Sequence, residues 1–160
     1  MTRGLVATVF VLTLEGMDDL YSDILLDAAG RLPPAATLAE PDGTGRRVSK
    51  VCGSEVEVDL QLDEGHISDF ALRVKACALG QASASLMANK LKGSTPSDLR
   101  ALTPIMEAML REGGPPPDGR FAHLEALAPI KAYPARHAST LLIFGAVVDA
   151  LDEADSRAAA

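Results

Sequence analysis

Apolar positions recur along this chain with two periods, and the period of two is clearest at 55–62. There Val56, Val58, Leu60 and Leu62 alternate with Glu55, Glu57, Asp59 and Gln61, which predicts a strand with one apolar and one polar face. Asp63-Glu64-Gly65 reads as a turn, and Phe70, Leu72 and Val74 against Asp69, Ala71 and Arg73 give a further strand over 67–75. Val48 and Val51 ahead of Cys52-Gly53-Ser54 place the start of the sheet at about Arg47. Short strands joined by tight turns make an antiparallel meander whose apolar face needs a cover.

The cover comes from segments with helical spacing. Asp18 or Asp19 can cap a helix carrying Leu20, Tyr21, Ile24, Leu25 and Ala28 on one face, ended by Gly30 and Pro33-Pro34. Residues 35–46 show no period and read as a mobile loop. A helix from Ala78 runs to Leu91-Lys92-Gly93, where Gly supplies a left-handed cap. Thr95-Pro96-Ser97-Asp98 opens the next, with Leu99, Leu102, Ile105, Met106 and Met109 along it. A stiff Gly113-Gly114-Pro115-Pro116-Pro117 connector and a short helical turn at 121–127 precede the most apolar helix, which Pro134 opens and which carries Leu141, Leu142, Phe144, Val147 and Leu151. The fold class expected is therefore α+β, a small antiparallel three-stranded sheet covered by several helices.

At 160 residues the chain suits one domain, read as 17–152, with 153–160 as a frayed polar tail. Residues 1–16 stand apart. Arg3 and the apolar run 5–14 are too short to span a bilayer, which takes about 20 residues, and no small-residue cleavage site follows. An upstream start with the working chain beginning at Met17 ranks ahead of an extra strand, and that ahead of a weak signal peptide. A net charge of -7, few aromatics and no Trp argue against nucleic acid and anionic membrane as partners. Two cysteines are too few for a secreted disulfide scaffold, so a reducing cytoplasm is the default.

Those cysteines carry the candidate chemistry. Cys52 lies in the turn before a strand and Cys77 where the meander passes into the covering helix, so both sit at ends of elements and can meet. The positive end of a helix favours a thiolate at Cys77, the form that acts as nucleophile and metal ligand. A small buried residue at a tight crossing is the alternative there. Two thiolates fall short of the four donors of a structural metal site, and His137, Ser139 and Ser54 are the further candidates near element ends.

The succession of Cys52-Gly53, the run Cys-Ala-Leu-Gly-Gln-Ala-Ser-Ala-Ser at 77–85, Lys92-Gly93 and Tyr133-Pro134-Ala135-Arg136 resembles the NifU N-terminal, IscU and SufU family of iron–sulfur assembly proteins, in particular its SufU-type branch. The resemblance covers nearly the whole chain. It implies three cysteines and an aspartate converging on the exposed end of the sheet, holding zinc or a nascent [2Fe–2S] cluster. Cys52 and Cys77 match the first two cysteines, but Ser54 stands at the aspartate position and Ser139 at the last cysteine, and the Asn-Pro-Arg stretch after the first helix is absent. Arg136 is retained from the segment that meets the partner. A hydroxyl must lose its proton to bind metal well, so a weak or labile site is expected, with His137 a candidate substitute ligand. The implied function is a scaffold rather than an enzyme, a sulfur-accepting partner of a cysteine desulfurase that serves cluster-recipient proteins and holds a labile [2Fe–2S] cluster or zinc. The alternatives are a partner or regulatory module without metal, and a zinc-dependent sulfurtransferase with Cys77 as sulfur acceptor.

Overall fold

The computed structural model describes residues 22–160. The expectations for 1–16, for a start at Met17 and for capping by Asp18 or Asp19 lie outside the described residues. Helix α1 spans Asp23–Gly30 and is capped by Ser22, whose hydroxyl accepts from the Leu25 N–H at 3.3 Å. Leu25 and Ala28 face the core, whereas Ile24, expected beside them, is exposed. A helix of only two turns buries a narrow stripe.

Strands β1 (Gly43–Val48), β2 (Glu55–Asp63) and β3 (His66–Lys75) form an antiparallel sheet in that order. Sheet begins at Gly43, inside the segment expected to be a loop. Glycine is a poor strand former in isolation, but here the missing side chains are what the packing needs. A Cβ on Gly43 or Gly45 would collide with the backbone carbonyl of Ala150 or Ala146, because helix α4 (His137–Ala159) lies directly on β1. Opposite them in the register stand Leu60 and Val58, which share that inner face and are fully buried.

The outer face is not simply polar and wet. Asp59, expected on solvent, is only 2% exposed because the chain at 36–38 crosses over it. Its carboxylate accepts from the Leu38 N–H at 3.0 Å, the Thr44 hydroxyl at 2.8 Å and both terminal nitrogens of Arg73 at 2.9 and 3.1 Å. Burial opposes ionisation of Asp59, but the Arg73 guanidinium and the two other donors outweigh it and hold the carboxyl below its usual range. Arg73 also donates to the Ala36 carbonyl at 2.7 Å, so the linker from α1 is fastened to the sheet.

Helix α2 (Ala78–Leu91) and helix α3 (Pro96–Glu112) complete the cover. Thr95 caps α3 as expected, accepting from the Asp98 N–H at 3.2 Å. A longer run of 3-10 turns than expected, Gly119–Ala132, seats Phe121, Leu124, Leu127 and Ile130 in the same core as Met87, Phe144 and Val147. Pro134–Arg136 forms a separate 3-10 turn, so the last helix opens at His137 and not at Pro134. The expected frayed tail is helical to Ala159. Arg100 of α3 reaches Asp152 and Asp155 at 2.7 and 2.8 Å, and Arg157 donates to the Pro41 carbonyl at 2.9 Å, which ties the end of α4 to its neighbours.

Candidate functional site

The β2–β3 register brings the two cysteines to one end of the sheet. Glu55 pairs with Lys75, Cys52 precedes the first of these by three residues, and Cys77 follows the second by two. Cys52 sits in a tight loop closed by the Ser49 N–H on the Ser54 carbonyl and the Gly53 N–H on the Ser49 carbonyl, both at 2.8 Å. Gly53, at φ 74°, supplies the left-handed conformation that this loop requires. Val51 at its tip is 83% exposed, and Cys52 is exposed beside it.

Each sulfur has a serine hydroxyl against it. Cys52 Sγ lies 3.1 Å from Ser54 Oγ, and Cys77 Sγ lies 3.7 Å from Ser139 Oγ. The hydroxyls of Ser49 and Ser54, with help from the Ser54 backbone, lower the Cys52 thiol to about 7. The Ser49 hydroxyl is buried and closes no hydrogen bond of ordinary geometry. Half-buried Cys77 is the residue preceding α2. Burial works against its thiolate, but the N–H groups of Gly80 and Leu79, the Ser139 hydroxyl and the charge of Arg136 prevail and lower it below the ordinary thiol range. At both sulfurs the thiolate is favoured relative to an ordinary cysteine.

The small residues after Cys77 let α2 approach α4 closely. Ala82, Ser83, Ala84 and Ser85 are all buried, and the Ser83 hydroxyl donates to the Thr140 carbonyl at 2.7 Å. A Cβ on Gly80 would stand 3.4 Å from the Ser139 carbonyl and closer still to Ala76. This contact fixes where Ser139 meets Cys77.

His137 does not join them. It is 7% exposed, and its Nε2 donates to the Ile130 and Lys131 carbonyls, each at 3.1 Å, closing the end of the 3-10 run. Among the described residues no three His, Cys, Asp or Glu side chains gather where they could hold a metal ion, so the expected set of Cys52, Cys77 and His137 is not assembled. The donors at the corner are two thiols and two hydroxyls, and a resident tetrahedral zinc ion does not fit that set. Ser54 lies against Cys52 and Ser139 against Cys77, and Arg136 acts on Cys77 through its charge. Sequence reading passed over Ser49, whose only signal is its place opposite Ser54 across a loop that Gly53 closes.

Comparison with known proteins bears on the family and the fold. Residues 27–140 match the family profile described as the NifU-like N terminal domain. The iron–sulfur cluster assembly scaffold protein IscU of Thermotoga maritima is 30% identical over 138 residues, which cover 82% of this chain and 92% of that one. The protein of the same name from Streptococcus pyogenes is 26% identical over 100 residues, 62% of this chain and 63% of its own. Among solved structures, the N-terminal part of a nitrogen-fixing NifU-like protein from Brucella abortus superposes with a TM-score of 0.85 at 46% identity, covering 89% of this chain and 99% of that one. A SUF-system scaffold candidate from Fervidobacterium islandicum shares the fold with a TM-score of 0.76 at 22% identity, over 84% and 98% of the two chains. With a family match across most of its length and a 30% identical relative that it covers to 92%, the chain belongs to the NifU-like N-terminal domain family.

Proposed function

We propose that this chain is an iron–sulfur cluster assembly scaffold with a reduced ligand set, taking sulfur from a cysteine desulfurase at Cys52 and holding cluster as labile cargo for recipient proteins. The observation that carries it is the exposed Cys52 sulfur with serine hydroxyls against it, on the same sheet end as Cys77. The Cys52 thiolate attacks the terminal sulfur of a donor persulfide, forming a new S–S bond as the old one breaks. The donor leaves as a thiolate and the proton stays with the transferred sulfur, so no net oxidation occurs. Cys77, half-buried against Ser139, is the second holding thiolate rather than the first acceptor. Chemistry of this kind needs free thiols and hence a reducing compartment such as the cytoplasm. Among the described residues no helix is long and apolar enough to cross a membrane.

The test is anaerobic incubation with a persulfide-charged cysteine desulfurase, without iron, followed by mass spectrometry of the peptides. One added sulfur atom on the Cys52 peptide, absent in Cys52→Ala, is expected. A desulfurase that binds the chain but leaves both cysteines unmodified overturns sulfur acceptance and favours the partner module, the reading that the missing third donor supports.

A further inference from the structure

Helix α4 carries two apolar stripes, and the core accounts for only one of them. Ile143, Phe144, Ala146 and Val147 are buried in the core. Ala138, Leu141, Gly145 and Val148 recur at helical spacing on another side of the helix, where each is only half-buried. They floor a groove of about 480 Å³ between α4 and α3, whose wall carries Arg100, Glu107 and Arg111 and into which Arg47 reaches from β1. A Cβ on Gly145 would stand 3.2 Å from the guanidinium carbon of Arg47, so the glycine is what lets that side chain lie across the helix on its way to Asp149.

In a chain of net charge -7, this lining holds three guanidiniums and one carboxylate. The acids that hold two of the arginines, Asp149 for Arg47 and Asp152 with Asp155 for Arg100, are not part of the lining. Arg47 gives Asp149 its Nε and Nη2, which leaves Nη1 uncommitted. Arg111 has no ion pair among the described residues, and neither has Glu107. With Arg100 beside Asp152, Arg111 falls toward the Ala138 end of the groove. Free cationic groups beside an apolar floor suit anions on an apolar carrier. From Ala138 to Val148 the floor runs about 15 Å at 1.5 Å per residue, which is too long for one small anion and matches about three turns of helix. A cleft between two helices takes an amphipathic helix by its apolar face.

We propose that this groove docks an acidic amphipathic helix of a partner protein, its aliphatic side chains on the outer stripe of α4 and its carboxylates on Arg111 and Arg47. Ser139, the residue after Ala138, meets Cys77, so the docked helix ends beside the cysteine corner. The site stands whether or not that corner accepts sulfur.

The experiment is fluorescence anisotropy with a labelled synthetic peptide of about twelve residues that has Leu at helical spacing and Glu between. Binding in the micromolar range is expected, and none for the same peptide with Lys in place of Glu. Arg111→Glu should weaken binding about tenfold. Its melting curve should stay that of the parent, since Arg111 closes no ion pair. Arg31→Glu, an exposed charge outside the lining, should leave binding unchanged. An acidic peptide that does not bind overturns the proposal, as do equal binding of the Lys peptide and indifference to Arg111→Glu. Equal binding of a peptide with Ser in place of Leu, or displacement by citrate at constant ionic strength, means a site for small anions only and overturns the docked helix.

Discussion

Serine hydroxyls at a sulfur decide how reactive that sulfur is at neutral pH. An ordinary exposed thiol ionises near 8.5, and Cys52, with the hydroxyls of Ser49 and Ser54 against it, does so at about 7. Because the thiolate is the reacting form, alkylation of Cys52 by iodoacetamide should rise with pH through a midpoint near 7, running at about one-tenth of its plateau at pH 6. Ser49→Ala and Ser54→Ala should each move that midpoint upward, as peptide-resolved mass spectrometry would show. A midpoint unmoved by either change means the hydroxyls do not act on the sulfur. Cys77 should react more slowly throughout, since it is half-buried. Both cysteines were legible in the sequence because a turn and a strand-to-helix junction leave marks in it. The part of His137 was not, since nothing local separates a histidine that closes a 3-10 run from one that faces a metal.

Between elements, the closest fit is that of β1 on α4. Gly43 and Gly45 alternate with Thr44, so both meet the helix backbone at Ala150 and Ala146 while Thr44 turns to Asp59 on the other face. Gly45→Ala should lower stability by about 3 kcal/mol, near the upper range for an overpacked core, and hence the melting temperature by about 6–12 °C. Thermal unfolding followed by circular dichroism checks this, and an unchanged melting temperature refutes the close approach. The same packing hid β1 from sequence reading. Strands β2 and β3 announce themselves by alternation and α3 by its Thr95 cap, but in β1 Val48 is the one apolar side chain beside two glycines, so only its end was legible. Asp59 was misread for a related reason, because the polar face of β2 gives no hint that residues 36–38 return to cover it. The tail went astray likewise, since Asp152, Asp155 and Arg157 look solvated until their partners on α3 and near β1 are in place.

At the scale of the molecule, the sheet end sets each cysteine against a serine, Cys52 against Ser54 and Cys77 against Ser139. Ser139 Oγ lies 3.7 Å from Cys77 Sγ, and two thiolates on one tetrahedral zinc, each about 2.3 Å from the metal, stand nearly that far apart. That one pair is spaced as two ligands of one metal would be, with a hydroxyl in place of a thiolate; the family was legible from the run 77–85 while the fate of the metal was not. Restoring the donors should restore the closed site. Ser54→Asp together with Ser139→Cys gives one chain three thiolates and a carboxylate, and zinc affinity should rise by at least about a hundredfold, the equivalent of about 3 kcal/mol. Elemental analysis after dialysis against a chelator should find one zinc per chain in the double variant and none retained in the parent. A double variant that folds normally yet retains no zinc would mean that the sheet end does not bring these four positions together.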